Sequence, residues 1–308
     1  MATALERSTT VTVTSGRPAW MEPPGPPEQV AKTLFLVAIA VVMLFPFVYV
    51  VAISFSSAKD VLAGGLILWP KNPSLDAYQA ILRGGIVARA LLVSTGLAVF
   101  GTAAKMVATV ALAYGLSKRA VPGAKLVLFL VLGTLLFRPG LIPSYLLVKN
   151  LGLIDTYQSL ILPGLISAFY LVILRNFFMN IPQELIEAAR LDGGSDWQVL
   201  WHIVLPLSKA VLAVIALFYG VDIWNAFFNA VLYLNDASMW PVQLVLRQYV
   251  LQGSAMASAI TLDPNQPPPP AQTLQMAIVV VATLPILVVY PFLQRYFTRG
   301  VLSGAIKA

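Results

Sequence analysis

The chain has 308 residues, 58% hydrophobic and only 11% charged, with no cysteine and one histidine. Its mean hydropathy is +0.81, whereas a soluble domain is about half apolar and roughly a quarter charged, so the composition is that of a polytopic membrane protein. It excludes disulfides, thiolate zinc sites, cysteine nucleophiles and multi-histidine metal centres, and the net charge of +7, spread singly with no basic run interleaved with aromatics, excludes a nucleic-acid footprint.

Residues 1–32 are polar, with Thr-rich and Pro-rich stretches. They read as a disordered cytoplasmic tail, not a secretory signal, because the apolar run starts late and no small-residue cleavage site closely follows it. Residues 33–308 read as the membrane domain. Apolar runs predict spans near 33–53, 90–114, 126–147, 157–178, 207–228 and 274–297, each long enough for a hydrocarbon core of ~30 Å. Pro46, Arg138-Pro139-Gly140, Pro143 and Pro163-Gly164 interrupt these runs, as neighbouring helices allow in a membrane. Residues 54–86 read as an outer loop with a short interfacial helix over Asp76–Leu82. Residues 229–273 read as a second outer loop carrying a Pro-rich insertion, DPNQPPPP, extended and solvent-facing on composition. The fold class is all-α integral membrane protein with six transmembrane helices.

Placing the N-terminus inside puts twelve Lys and Arg residues on the inner side and six on the outer, with Lys105 and Arg138 within spans. The bias favours N and C termini in the cytoplasm.

The segment 182–206 is a polar, helix-forming island among the spans. Pro182 and Glu184 suit the first turn of a helix. Leu185, Ile186, Ala188 and Ala189 give it an apolar side. Gly193-Gly194 stop it, and Ser195 with Gln198 has the spacing of a capping box that opens a second helix. Trp197, Leu200, Trp201, Val204 and Leu205 then form one stripe. On pattern alone the island is either an interfacial connector or a place where force enters the spans.

Glu187-Ala188-Ala189, Gly193, Ile203, Leu205 and Pro206 match without a gap the E-A-A-x3-G-x9-I-x-L-P pattern of the EAA loop in ABC importer permeases. SLDAYQAIL at 74–82, GLIPSYLLVKNLGLIDT at 140–156, residues 205–236 and the tail at 276–307 extend the likeness. The chain resembles a carbohydrate-type ABC importer permease subunit of the maltose-type (MalG-like) family, in its LplC/YtcP-like branch. The resemblance implies a type I ABC importer permease fold with a cytoplasmic EAA coupling helix. It also implies three partners beside membrane lipid: a second permease subunit forming a heterodimer, a cytoplasmic ABC ATPase dimer and an extracytoplasmic solute-binding protein. Glu187, Ala188, Ala189 and Gly193 would form the surface that docks in the ATPase, with Trp197 and Trp201 anchoring the second helix against spans or headgroups. ATP and Mg would be used by the partner ATPase, with no cofactor bound by this chain, and no G-x-x-x-x-G-K-[ST] loop occurs in it. The location implied is a bacterial plasma membrane, multi-pass, and the cargo a carbohydrate, an oligosaccharide that could contain uronate.

Lys105, Arg138 and Asp222 fall at similar depths, roughly 20, 20 and 24 Å from the inner ends of their runs at 1.5 Å per residue. Each would cost at least ~2.5–3.5 kcal/mol unpaired, which predicts an ion pair from Asp222 to Lys105 or Arg138. Two roles stand side by side: a structural pair, or a pathway suited to a polar, anionic sugar. Trp224, Asn225 and Asn229, with Phe227 and Phe228, form an aromatic and amide cluster at the end of the fifth run. That cluster is either sugar-path chemistry or an interfacial belt. His202 is given no chemistry. No paired catalytic groups are assembled at depth, which disfavours an enzyme. A self-sufficient secondary carrier or channel is the alternative, but it gives no reason for the EAA spacing.

Overall fold

Pro46 does not interrupt the first helix, which runs over Pro26–Ser54 (α1). The computed structural model describes residues 26–83, 85–118, 121–137, 139–252 and 269–305, with side chains through residue 291. The tail to residue 25, Arg138 and the proline run at 263–270 fall wholly or mostly outside the described residues. The chain divides into two units, residues 1–48 and 49–308. The described part of the first is apolar helix. The last turn of α1, with Ala52, Ile53 and Ser54 buried, belongs to the second.

The second unit continues with Ala58–Leu62 (α2) and Asp76–Arg83 (α3). The long helix Ile86–Ser117 (α4) contains a π-helical turn over Leu97–Gly101. There follow Ala124–Leu136 (α5), Leu141–Asn150 (α6), Gln158–Gly164 (α7), Ala168–Met179 (α8), Gln183–Leu191 (α9), Asp196–Leu207 (α10) and Lys209–Trp224 (α11). Phe227–Tyr233 (α12), Val242–Gln252 (α13) and Ala271–Ala305 (α14) complete the described helices.

Among the described residues three helices could each cross a membrane by length and composition: Pro27–Ser54, Ile86–Ser117 and Ala271–Pro291. Two bent pairs add to these, α7 with α8 at 55° and α10 with α11 at 83°. The apolar α5 is shorter. The run at 126–147 is therefore not one helix. It stops after Leu136 because Pro139 disfavours helical backbone in the residue before it, and it restarts at Leu141 behind Gly140. The segment 229–273 is not simply loop either. Val242, Val245 and Tyr249 lie on one face of α13 and are buried with Ala77, Ala80 and Ile81 of α3 and with Leu274, Ala277 and Ile278 of α14. The helix expected over Asp76–Leu82 is present, and it packs into this cluster through its small residues.

A second core gathers at the other end of α4. Ala113 and Leu116 meet Leu171, Leu174 and Phe178 of α8, Val199, Leu200 and Val204 of α10, and Ile215 and Tyr219 of α11. Small residues let the helices approach closely. A β-carbon on Gly101 would lie 2.9 Å from Ile223 Cδ1 and 3.4 Å from Ile161. These packed helix ends position the polar loop that follows α8.

Candidate coupling and translocation sites

The loop at 182–206 folds as two helices around a glycine turn. Glu184 sits in the first turn of α9, where the helix dipole favours an acid. Gly193 takes φ +82°, the left-handed geometry a helix C-terminus favours. Gly194 donates its N–H to the Ala189 carbonyl at 2.8 Å. A β-carbon there would fall 2.6 Å from that oxygen, so Gly194 is held by the close approach and Gly193 by its positive φ. Ser195 opens α10 with the complete capping box: Gln198 N donates to Ser195 Oγ at 3.4 Å, and Ser195 N donates to Gln198 Oε1 at 2.7 Å.

The apolar side expected on α9 divides between two faces. Ile186 and Ala189 are half-buried against the second core. Glu184, Leu185, Glu187, Ala188 and Leu191 are exposed, Leu191 at 89%. Ala189 thus faces inward, while Leu185, Ala188 and Leu191 make an outward stripe beside Glu184 and Glu187. The stripe expected on α10 is also redrawn. Val199, Leu200 and Val204 are buried, whereas Trp197 and Trp201 are 64% and 54% exposed. They form an edge-to-face pair with centroids 5.9 Å apart. A π turn over Leu200–Val204 follows, and buried Val199 and Val204 stand five apart, the spacing such a turn brings to one side. Ile203 and Leu205 are half-buried and Pro206 exposed. Pro206 lies just before the 83° bend at Ser208 that turns α10 away from α11.

Asp196 ties this loop to its neighbours. Its carboxylate lies 2.7 Å from Lys118 Nζ and 3.0 Å from Arg190 Nη2. Its carbonyl accepts from the Tyr114 hydroxyl at 2.9 Å, and Lys118 Nζ stands 4.3 Å above the Tyr114 ring. Hydrogen bonds from Lys118, then Arg190, hold the Asp196 carboxyl below its ordinary range. The pairs therefore persist above the unperturbed value of ~3.9 and are lost only as pH falls through the lowered folded value. Tyr114, Lys118, Phe178, Glu187, Arg190 and Asp196 line a cavity of about 680 Å³.

Of the two pairings expected for Asp222, the one to Arg138 lies outside the described residues. Among the described residues no ion pair joins Lys105 to Asp222. Lys105 is only 8% exposed, and its Nζ lies 5.5 Å from the centroid of the Tyr219 ring. Asp222 is exposed and accepts a 3.0 Å hydrogen bond from the Tyr170 hydroxyl. Tyr170 stacks on Phe218 at 5.7 Å and meets Tyr219 edge-on at 4.8 Å. Tyr219 in turn exchanges a 2.8 Å hydrogen bond with Thr109 and accepts from Ser167 N at 3.0 Å. The tyrosines were missed in the sequence, where isolated aromatics inside apolar runs carry no signal of their own.

Trp224 is packed inside the chain. It is 6% exposed, and its Nε1 donates to the Ala282 carbonyl at 3.1 Å, fixing α11 to α14. Asn225, Asn229, Phe227 and Phe228 are exposed. Arg247 lies 5.6 Å over the Phe227 ring.

Residues 27–303 match the model of the family described as binding-protein-dependent transport system inner membrane component. The chain belongs to that family. It is a non-catalytic membrane subunit of a binding-protein-dependent ABC importer, with the type I ABC permease fold. Two relatives come from Bacillus subtilis (strain 168). Polygalacturonan/rhamnogalacturonan transport system permease protein YtcP is 46% identical over 273 residues, 89% of this chain and 96% of the relative. Protein LplC is 44% identical over 285 residues, 90% and 94% of the two chains. Among solved structures, a chain of a bacterial ABC transporter involved in the import of the acidic polysaccharide alginate superimposes with TM-score 0.82. It is 28% identical, and the match covers 90% of this chain and all of that one. The likeness to the maltose-type permeases and their LplC/YtcP-like branch thus holds over nearly the whole permease.

Proposed function

We propose that this permease is one half of a heterodimeric pathway that imports an anionic oligosaccharide, one containing uronate units. The observation that carries the reading is the 46% identity, across nearly the whole chain, to a polygalacturonan/rhamnogalacturonan permease. The structural likeness to an importer of acidic polysaccharide agrees with it. An extracytoplasmic binding protein delivers the sugar. Two copies of a cytoplasmic ATPase bind and hydrolyse ATP with Mg, and this chain binds neither.

Within the permease, α9 is the docking helix. Glu187 and Ala188 are exposed for contact, with Leu185 and Leu191 extending the apolar stripe. Gly193 sets the angle to α10, and Ile203, Leu205 and Pro206 carry the displacement to α11. Ala189 supports the docking helix from within. Exposed Asp222 would be expensive against lipid, so its face of α11 is read as turned toward the second permease and the pathway between them. The six spans are α1, α4, α5 with α6, α7 with α8, α11 and α14, with both termini in the cytoplasm.

The test is uptake of defined oligosaccharides by cells or vesicles holding the complete importer. Oligogalacturonate and rhamnogalacturonan fragments are expected to enter in an ATP-dependent manner, and neutral oligosaccharides of equal length to enter far more slowly. Equal uptake of the neutral series would overturn the anionic assignment. Uptake that persists when the ATPase is inactivated would favour a self-sufficient carrier or channel.

A further inference from the structure

Asp196 is the one carboxylate that joins three separate elements of the coupling end among the described residues. Lys118 follows the last turn of α4, Arg190 lies in the last turn of the docking helix α9, and Asp196 itself opens α10. The Tyr114 hydroxyl reaches the backbone of the same residue. Lys118 Nζ also sits 4.3 Å over the Tyr114 ring. On the next strut, Arg175 Nε of α8 donates to the Leu116 carbonyl at 2.9 Å, so the end of α4 is gripped from both sides. The motif that spans Glu187 to Pro206 does not include Asp196.

We infer that Asp196 is a positioning residue that links docking-helix movement directly to the end of α4, in parallel with the route through Gly193 and α10. The inference rests on the docking role proposed for α9. Its logic is geometric. Along the backbone, a push on α9 reaches α11 through a glycine turn, a π turn and an 83° bend, and beyond these the two helices share the apolar packing of Ile186 and Ala189 on the second core. The Arg190–Asp196–Lys118 bridge bypasses all three. Asp196 and Arg190 are more than half exposed, so the bridge adds little to stability. Its effect is on how helices move together, and it is weakened by salt.

The experiment uses the complete importer in vesicles, with ATP hydrolysis and sugar uptake measured on the same sample. Asp196→Asn is expected to keep the ATPase in the purified complex yet reduce sugar imported per ATP by about two- to fivefold, the scale a solvated charge pair can impose. Asp196→Glu should restore the ratio. Lys118→Gln should lower it alone but not further in the Asp196→Asn background. Raising salt should depress the wild-type ratio and leave the Asp196→Asn ratio flat, a response that mere misfolding does not give. An unchanged ratio in Asp196→Asn, or equal salt sensitivity in both, overturns the inference. Ala188→Trp serves as the control for docking. If it retains the ATPase and full uptake, the docking assignment of α9 fails on its own account, whatever Asp196 does.

Discussion

Single side chains in this permease are sorted by where they point, and Trp224 illustrates the consequence. At the end of an apolar run, beside two asparagines, it has the chemistry of a sugar-stacking residue. Its burial and its hydrogen bond to Ala282 also make it a tie between α11 and α14. Trp224→Phe keeps an aromatic ring but removes the donor and part of the buried indole. It should cost about 1–3 kcal/mol of stability, the lost hydrogen bond and the void together, and lower the melting temperature in detergent. The apparent KM for sugar should not change. A raised KM at unchanged melting temperature would place the ring back in the pathway. The missing Lys105–Asp222 pair teaches the same lesson. Counting residues along helices gives depth, which is one coordinate. The angle around the axis decides contact, and the π turn at Leu97–Gly101 resets that angle for Lys105.

At the level of elements, what was legible in the sequence was local. The glycine turn at Gly193-Gly194 and the capping box at Ser195 and Gln198 are written within a few residues, and the structure contains both. Which face of α9 turns inward was not legible, because Ile186 and Ala189 are chosen by the partners offered by α4 and α8. The burial of α13 was hidden for a related reason: its polar residues sit among turn signals, and its apolar face acquires meaning only beside α3 and α14. The bent pair α7–α8 depends on a contact of this distant kind. Ser167 stands at the break, and its N–H is satisfied by the Tyr219 hydroxyl, which also bonds Thr109 of α4. Tyr219→Phe leaves both groups without that partner in a buried setting. It should destabilise the protein by about 1–3 kcal/mol, with the loss read as a lower melting temperature and earlier proteolysis between α7 and α8. Wild-type melting would mean that the bend is held by Pro163 and Gly164 alone.

For the whole molecule, the proposed orientation makes a prediction of its own. Lys118 and Arg190 pair with Asp196 of the loop, and Arg175 bonds the end of α4 beside it; basic residues favour the cytoplasmic side. The docking helix proposed in α9 lies on that same end, where the proposed cytoplasmic ATPase would have to reach it. The chain has no cysteine, so each introduced thiol gives a signal with no background. Leu191 is 89% exposed on the docking helix, and Leu62 is 79% exposed at the end of α2. A membrane-impermeant maleimide added from outside should label Leu62→Cys in intact cells stripped of any outer barrier. Leu191→Cys should react only after the membrane is opened, and less once the ATPase is assembled on it. Labelling of Leu191→Cys from outside would reverse the orientation and remove the docking helix from the reach of any cytoplasmic motor. Protection of both sites until permeabilisation would instead mean that α1 does not carry the chain across.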